Sequence, residues 1–319
     1  MILGYKKQAD QVKYFQGIVI TAAIFCLPSL ITDLSWLHGL VPLPVFYYLI
    51  CFGQKQGTTL VSIALLIAGG ISAIFGTLSI LLFSLTMLPL GFVFAKTIAR
   101  HETANEAGLK GVIYLITIWT VLGTLYATIS GTNPYTEALT SLDKTLEASY
   151  TLYSQSAEVP VETLQEIQSA FKQLRLLIAR MFPALLLSST FFTVWLNMLF
   201  GRWLLIKKSP SLSPWNDFKE WKLPEILVWV VILAVVQLLL PIESIKTLGL
   251  NTAFVLGVLY FFQGLSILSC LLAKWSVPQP FKVLIYLLVL IQVYGIILLS
   301  LIGIADIWAN FRKKQPAAS

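Results

Sequence analysis

The sequence predicts an all-α protein, a polytopic bundle of about eight or nine transmembrane helices with one helical hairpin outside the membrane. Only 12% of the 319 residues are charged, 57% are hydrophobic, and the mean hydropathy is +0.81. Soluble domains carry about 25% charged residues. The apolar residues also form runs of roughly 20, the length at which a helix crosses a bilayer. The chain is therefore expected to lie in a lipid bilayer, which is its principal partner.

Nine apolar segments are expected as spans. They cover residues 15–33, 37–53, 57–75, 77–98, 109–131, 182–206, 223–242, 249–273 and 281–308. The second is short and contains Pro42 and Pro44, which lack a backbone N–H and suit a helix start. It is expected either as a full crossing or as a partial, re-entrant segment.

The basic residues orient the bundle. If the N-terminus is cytoplasmic, most Lys and Arg residues fall in cytoplasmic loops, as the positive-inside rule requires. The same rule accounts for the net charge of +7, so no nucleic-acid partner is expected. One basic cluster depends on the number of spans. With eight spans, Arg312, Lys313 and Lys314 are cytoplasmic and obey the rule, and with nine spans they lie outside and violate it. The expected location is the bacterial cytoplasmic (inner) membrane.

Three regions follow from this pattern: transmembrane helices at 1–131, an extracytoplasmic helical hairpin at 132–180, and transmembrane helices at 181–319. Asn133-Pro134 is typical of a helix start. Two helical faces then follow, one with Leu139, Leu142, Leu146, Tyr150 and Tyr153, the other with Leu164, Ile167, Phe171, Leu174 and Ile178. A turn at 157–160 between them predicts an antiparallel hairpin.

The second arm of this hairpin is expected to run into the span at 182–206, with Pro183 as a kink or a restart. The hairpin region carries four basic and six acidic residues. It is either a helical loop that packs on itself, a docking surface for a partner, or a lid over a cavity.

The segment at 207–225 alternates prolines and aromatic residues with charges. Trp215, Phe218 and Trp221 are of the kind that lies at the level of the lipid headgroups. We interpret this segment as an interfacial anchor on the cytoplasmic face, and a contact with substrate is the alternative.

Signatures of catalysis and cofactor binding are missing from the sequence. It contains no phosphate-binding loop, no dinucleotide fingerprint, no HExxH and no GxSxG. Cys26, Cys51 and Cys270 are scattered through apolar runs without metal-ligand spacing. His101 with Glu102 and Glu106 forms the only local cluster of catalytic residue types, and it is typical of a solvated loop. The protein is therefore expected to be neither an enzyme nor a binder of metals or cofactors.

Uncharged amides stand inside the apolar segments, namely Asn197, Gln237, Gln263 and Gln292. An amide that faces lipid leaves its polar atoms unpaired at considerable cost, so these four should face protein or water. They are expected either to form hydrogen bonds between helices, worth about 0.6–2 kcal/mol each, or to line a polar pocket for a small solute. Small residues at 68–70 and 72 should permit close helix contact.

Several stretches resemble the YybS-type family of bacterial polytopic membrane proteins. They are VPLPVFYYLICFGQKQG at 41–57, WKLPE at 221–225, YFFQGLSIL at 260–268 and GIADIWANFRKK at 303–314, together with the long insertion before the sixth span. That family is distantly similar to the substrate-binding S components of energy-coupling-factor vitamin transporters. The resemblance implies a small-molecule site inside the membrane, with an ATPase and a coupling subunit as partners. The chain is longer than an S component and carries the extra hairpin, and no vitamin-binding residue is carried over.

Two functions remain open on the sequence. The protein binds or transports a small solute within its helix bundle, in the manner of a transporter substrate-binding subunit. Alternatively, it is a non-enzymatic scaffold whose hairpin docks an envelope protein. The second function requires apolar side chains that stay exposed on the hairpin beyond its own seam.

Overall fold

A computed structural model describes residues 2–155, 160–209 and 214–312, which form helices joined by turns. The helices are α1 (Ile2–Leu30), α2 (Pro42–Ile74), α3 (Leu78–Leu85), α4 (Pro89–Ala99), α5 (Ala104–Ser130), α6 (Pro134–Ser154), α7 (Val161–Lys208), α8 (Leu227–Leu239), α9 (Glu243–Lys274), α10 (Gln279–Ile291) and α11 (Val293–Ala309). Within these described ranges, 3₁₀ helices cover Thr32–Leu40 and Phe218–Glu220. The predicted all-α bundle is confirmed.

The chain divides into two compact units. Unit 1 combines Met1–Ile118 with Thr190–Trp221, and unit 2 combines Trp119–Ser189 with Lys222–Ser319. In unit 1, α1 packs along α2, with Phe25 and Leu60 fully buried in the shared core. In unit 2, α8 and α11 pack on α9.

Six helices of the described chain are long and apolar enough to cross a membrane, and a seventh span is reached if α10 and α11 count as one bent span. The predicted number of eight or nine is therefore wrong. The segment predicted at 223–242 yields α8, which has only 13 residues. It reaches about 20 Å, whereas the hydrocarbon core is about 30 Å thick.

The segment predicted at 37–53 is the second that does not form a span of its own. It is shared between the first 3₁₀ helix and the start of α2, where the chain reverses at Gly53. Gly53 has φ 78 and ψ 169, a conformation that glycine adopts readily. A Cβ atom on Gly57 would lie only 2.8 Å from the Leu49 Cα. In one continuous helix, eight residues would separate these two positions by about 12 Å, so the chain folds back between them. Residues 42–52 thus form a short arm, which agrees with the predicted alternative of a partial segment.

Helix α8 runs antiparallel to α9. Gln237 near the end of α8 lies beside Gly249 near the start of α9. Leu223, which precedes α8, donates its N–H to Gln263 farther along α9. Leu223 and Gln263 therefore mark one end of unit 2.

Helix α11 runs parallel to α9. Ser300 Oγ donates to the Gly257 carbonyl at 3.0 Å, and the Gly303 carbonyl accepts from Gln263 Nε2 at 3.0 Å, so the two helices advance together. Because α10 and α11 meet at a bend of 101° at Gln292, the chain turns back there instead of crossing once. Residues after Gly303 consequently lie at the same end of unit 2 as Leu223.

The α9–α11 crossing brings two backbones into contact through glycines. A Cβ atom on Gly264 would overlap the Leu299 carbonyl, and one on Gly303 would overlap the Tyr260 carbonyl. Small residues permit such approaches between membrane helices. The crossing therefore depends on the absence of side chains at these two positions.

Candidate functional site

Pro183 interrupts the backbone ladder of α7, which continues through it without a restart. A proline has no N–H to donate, so the carbonyl of Ala179 loses its normal partner, and the ring disturbs the neighbouring bonds. Inside a membrane, water is not available for such groups, and other parts of the protein must satisfy them. The residues around Pro183 therefore reveal how the hairpin is attached to the bundle.

Side chains from two neighbouring helices fill this opening. Tyr135 Oη on α6 donates to the Ala179 carbonyl at 3.2 Å. On α9, Asn251 Nδ2 donates to the Arg180 carbonyl at 2.9 Å, and its Oδ1 accepts from the Ala184 N–H at 3.0 Å. In a regular helix these last two backbone groups would bond to each other, so the Asn251 amide is inserted into one broken backbone hydrogen bond.

Further contacts join α6, α7 and α9 at this level. The Tyr135 ring packs edge-on against Phe182, with centroids 5.0 Å apart. Arg180 lies 3.8 Å from the Glu243 carboxylate at the start of α9. We call residues 179–184 with Tyr135 and Asn251 the Pro183 joint. It ties the base of the hairpin to the central helix of unit 2.

The hairpin arms are held together above the joint by an ion pair. Arg175 donates from Nε to Asp143 Oδ1 at 2.6 Å and from Nη2 to Oδ2 at 3.1 Å. Together with the contact of Tyr135 and Ala179, this pair shows that the arms are antiparallel. The predicted apolar faces are half-buried, except for Tyr153 and Leu174, which are exposed. The predicted turn at 157–159 lies outside the described residues.

The far end of the hairpin carries exposed apolar and acidic side chains. We define the hairpin tip as residues 147–155 and 160–171. Leu152 is 73% exposed and Tyr153 is 49% exposed. The acidic members, all exposed, are Glu147, Glu162 and Glu166, and the tip contains no Lys or Arg. Leu152 stands about 27 Å along α6 from its first residue, far from the Pro183 joint.

Asn197 is fully buried in unit 1. Its Nδ2 donates to the Gly39 carbonyl at 2.6 Å and to the Thr193 carbonyl at 2.8 Å. The first bond ties α7 to the 3₁₀ helix that precedes α2. This contact is a hydrogen bond between helices, which is one of the two roles that the sequence predicted for the amides.

Gln263 is fully buried in unit 2, and both ends of its amide are bonded. Its Oε1 accepts from the Leu223 N–H at 2.9 Å. Its Nε2 donates to the Gly303 carbonyl at 3.0 Å and lies 3.5 Å from Asp306 Oδ2. One side chain therefore joins the segment before α8 to α11.

A buried ion pair adjoins this amide. Asp306 is 2% exposed and accepts from Arg312 Nη2 at 3.0 Å and from the Phe311 N–H at 3.0 Å. Arg312 Nη1 also donates to Ser266 Oγ at 3.2 Å. We call Gln263, Ser266, Asp306 and Arg312 the Gln263 cluster. Lys313 and Lys314, considered with Arg312 in the sequence, lie outside the described residues.

The other two amides lie elsewhere in unit 2. Gln237 is half-buried beside Gly249, about 21 Å along α9 from Gln263. Gln292 is exposed at the bend that precedes α11, with extended backbone angles. The structure therefore does not bring the three amides of unit 2 into one pocket.

Sequence reasoning missed the two positions with the most specific contacts. Asn251 was not grouped with the other amides, although a proline inside α7 requires a polar partner from a neighbouring helix. Asp306 was not selected as a site residue either. The signal for that pair was an Asp and an Arg six residues apart at the end of an apolar helix.

The cluster at 101–106 serves to start α5. The Glu106 carboxylate accepts from the Thr103 N–H at 2.8 Å, and the Glu106 N–H donates to Thr103 Oγ1 at 3.3 Å. This reciprocal pair is a capping box. Glu102 pairs with Lys110 at 2.6 Å. These contacts are structural, and the absence of enzymatic activity stays a prediction.

The predicted interfacial segment at 207–225 differs from expectation in its first aromatic residue. Trp215 is buried in unit 1 and stacks on Phe46, with centroids 5.7 Å apart. Arg202 donates to the Trp215 carbonyl at 3.1 Å. In unit 2, the hydrogen bond from Lys222 lowers the pKa of Glu225. Residues 210–213 of this segment lie outside the described residues.

The fold and its buried polar contacts define an integral membrane protein built of helices. A family model described as "Predicted membrane protein (DUF2232)" matches residues 19–307, and the chain belongs to this family. "Uncharacterized protein YybS" of Bacillus subtilis (strain 168) is 24% identical over 303 residues, which cover 93% of this chain and 94% of that protein. The YybS-type resemblance is therefore confirmed. No solved structure matches the chain.

Proposed function

We propose that the protein is a membrane-embedded docking protein whose α6–α7 hairpin holds an envelope partner. The exposed apolar tip carries this proposal. Leu152 and Tyr153 are exposed neighbours, and the hairpin that carries them is expected outside the membrane, where they have no lipid to contact. Exposed apolar groups rimmed by polar residues are typical of interaction surfaces.

The attachment of the hairpin supports the same function. The Asp143–Arg175 ion pair holds the arms together, and the Pro183 joint fixes their base to α9. A surface that is ordered before binding loses less conformational entropy when the partner arrives. A passive loop would not need three side-chain bonds at its base.

The charge of the tip indicates the chemistry of the partner. The tip contains three exposed glutamates, and its described residues include no Lys or Arg. Complementary charge directs association and weakens with salt. We therefore expect a partner that inserts an apolar side chain bordered by Lys or Arg.

The test is site-specific photo-crosslinking in the native membrane. A photoreactive residue at Leu152 should give one saturable adduct, and the same residue at exposed Thr140, on the same helix, should not. The unlabelled change Leu152→Ser with Tyr153→Ser should abolish co-purification of the crosslinked protein. Equal crosslinking at both positions, or co-purification that survives the double change, would contradict the docking proposal.

A second candidate function is the binding of a small solute in unit 2, with an ATPase and a coupling subunit as partners. The Gln263 cluster favours it, because ionisable residues inside membrane spans commonly mark solute or ion paths. The bend between α10 and α11 adds support, since transporters build sites at interrupted helices. Against it, Gln263 and Asp306 already have protein partners, so a solute would have to displace one of them.

Native mass spectrometry of gently purified protein tests this second function. A retained metabolite that is lost in the paired variant Asp306→Asn with Arg312→Gln, together with recovery of an ATPase, would support transport. The paired change removes both charges and avoids a single buried ion without its partner, which would cost about 3–5 kcal/mol. A folded protein without metabolite and without ATPase would oppose it.

A further inference from the structure

We infer that unit 1 binds the headgroup of an anionic phospholipid at Lys208 and Lys55. Lys208 lies over a group of aromatic rings formed by Tyr14, Tyr47, Tyr48 and Phe52, which we call the aromatic platform, and Lys55 follows Phe52 by three residues. The platform joins α1 to the two arms of α2 around the reversal at Gly53. The inference is independent of the docking proposal, which concerns the hairpin of unit 2.

The rings of the platform contact one another closely. Phe52 lies 5.5 Å from Tyr14 in an edge-on arrangement and 5.9 Å from Tyr48 in a stacked one, measured between centroids. Tyr47 meets Tyr48 edge-on at 5.0 Å. Tyr14 Oη donates to the Gln56 carbonyl at 3.3 Å, which ties the platform to the turn after Gly53. The platform is therefore a fixed surface.

Lys208 lies over this surface. Its Nζ is 5.3 Å from the Phe52 centroid and 5.9 Å from the Tyr47 centroid. A cation over a ring is attracted by the ring's electrostatic field, which orients the ammonium group but leaves its charge in place. Lys208 is exposed, and it forms no ion pair within the residues that the structure describes.

Lys55 supplies the second charge. It is exposed in the turn three residues after Phe52, and it too has no ion-pair partner in the described chain. Two ammonium groups beside one aromatic platform form a basic patch. Such a patch attracts a headgroup with net negative charge more strongly than a zwitterionic one.

The neighbouring helix surface places this patch at headgroup depth. Trp203, one turn before the lysines on α7, is 55% exposed, and Lys207 lies 5.1 Å above its ring. Exposed tryptophans collect at the level of the headgroups. This assigns Lys208 to the depth of the phosphates, where a lysine donates up to three hydrogen bonds to phosphate oxygens.

Native mass spectrometry of the full-length protein tests this inference. The protein is released from nanodiscs of phosphatidylcholine with or without phosphatidylglycerol, and bound lipids are counted. We expect phosphatidylglycerol to be retained over phosphatidylcholine. Lys208→Gln and Lys55→Gln should each lower its occupancy about fivefold, the effect of one lysine near an anionic surface. Lys207→Gln is the matched control, because it removes the same charge one residue away over Trp203.

Three results decide the outcome. Loss of bound phosphatidylglycerol with Lys208→Gln and Lys55→Gln, but not with Lys207→Gln, supports the site, provided thermal unfolding shows that the variants are folded. Displacement of the lipid by inorganic phosphate would identify free phosphate as the ligand and overturn the lipid assignment. Equal loss in all three variants, or no preference between the two lipids, would reduce the effect to general surface charge and also overturn it.

Discussion

At the scale of single residues, Asn251 substitutes for a backbone hydrogen bond that Pro183 disturbs. Replacing Asn251 with Leu leaves the Arg180 carbonyl and the Ala184 N–H without their partner. We expect the free energy of unfolding in detergent to fall by about 1–3 kcal/mol. Thr252→Val, which removes one local hydrogen bond on the next residue, should change it by roughly 0.5 kcal/mol or less.

The Pro183→Ala background makes this prediction sharper. With alanine at 183, the backbone ladder closes and Ala184 N–H can return to the Arg180 carbonyl. The cost of Asn251→Leu should then shrink, and a double-mutant cycle measures the difference. An unchanged cost in both backgrounds would show that Asn251 acts through packing alone.

His38 should make the stability of unit 1 depend on pH. It lies in the 3₁₀ helix between α1 and α2 and shares a hydrogen bond with Ser84, and burial lowers its pKa. Below the unfolded pKa of about 6.5, the unfolded chain takes up a proton that the folded chain resists, so stability falls as pH falls through this value and below. The measurement compares thermal unfolding at about pH 7.5 and about pH 5.5.

His38→Gln should remove part of that pH dependence. His101→Gln is the control, since His101 is exposed at the end of α4 and has no comparable burial. A wild-type slope retained in His38→Gln would assign the dependence to another group.

At the scale of elements, the α9–α11 crossing depends on two glycines. Gly264→Ala or Gly303→Ala would drive a methyl group into a backbone carbonyl, and backbone cannot rotate away as a side chain can. We expect a loss of about 1–3 kcal/mol or more in unfolding free energy. Gly257→Ala, on the same helix but with open space around its Cβ position, should be neutral or stabilise α9 by about 0.5–1 kcal/mol. Similar losses at all three positions would contradict close packing as the cause.

The pattern of small residues predicts such contacts only partly. Ala68 and Ser72 are buried, as expected of a contact face, whereas Gly69 and Gly70 face open space. Residues four apart share one helical face and adjacent residues do not, so a run of small residues indicates a contact without naming its members. Gly264 and Gly303 were not selected, because neither lies in a continuous run of small residues.

At the scale of the whole molecule, composition alone predicted the membrane bundle, and helical periodicity predicted the hairpin. The number of spans was wrong because hydropathy measures the length of an apolar run and not the direction of the chain. The chain reverses at Gly53 inside one apolar run, and the run at 223–242 yields a helix of only 13 residues. The partners of Gln263 are equally distant in sequence, since Leu223 lies 40 positions earlier and Gly303 and Asp306 lie 40 and 43 positions later.

The parallel course of α9 and α11 predicts which positions of unit 2 share a side of the membrane. Single cysteines in place of Glu225, Trp275 and Phe311, in a background without native cysteines, should react with a membrane-impermeant thiol reagent from one side. A cysteine at Leu152 should react from the other. The positive-inside rule predicts that the first side is the cytoplasm. Labelling of position 311 from the side of position 152 would exclude the parallel arrangement.

The Gln263 cluster also constrains how the protein is made. Membrane helices are inserted in the order of synthesis, so α9 enters the bilayer before Gly303 and Asp306 exist. Until then, Gln263 Nε2 lacks the Gly303 carbonyl that accepts its hydrogen bond. The N–H of Leu223 cannot replace that carbonyl, because it bonds to the other end of the amide, Oε1. An interrupted chain that stops before residue 303 would expose an unpaired amide to lipid. The polar atoms of Gln263 are therefore fully paired only in the finished bundle.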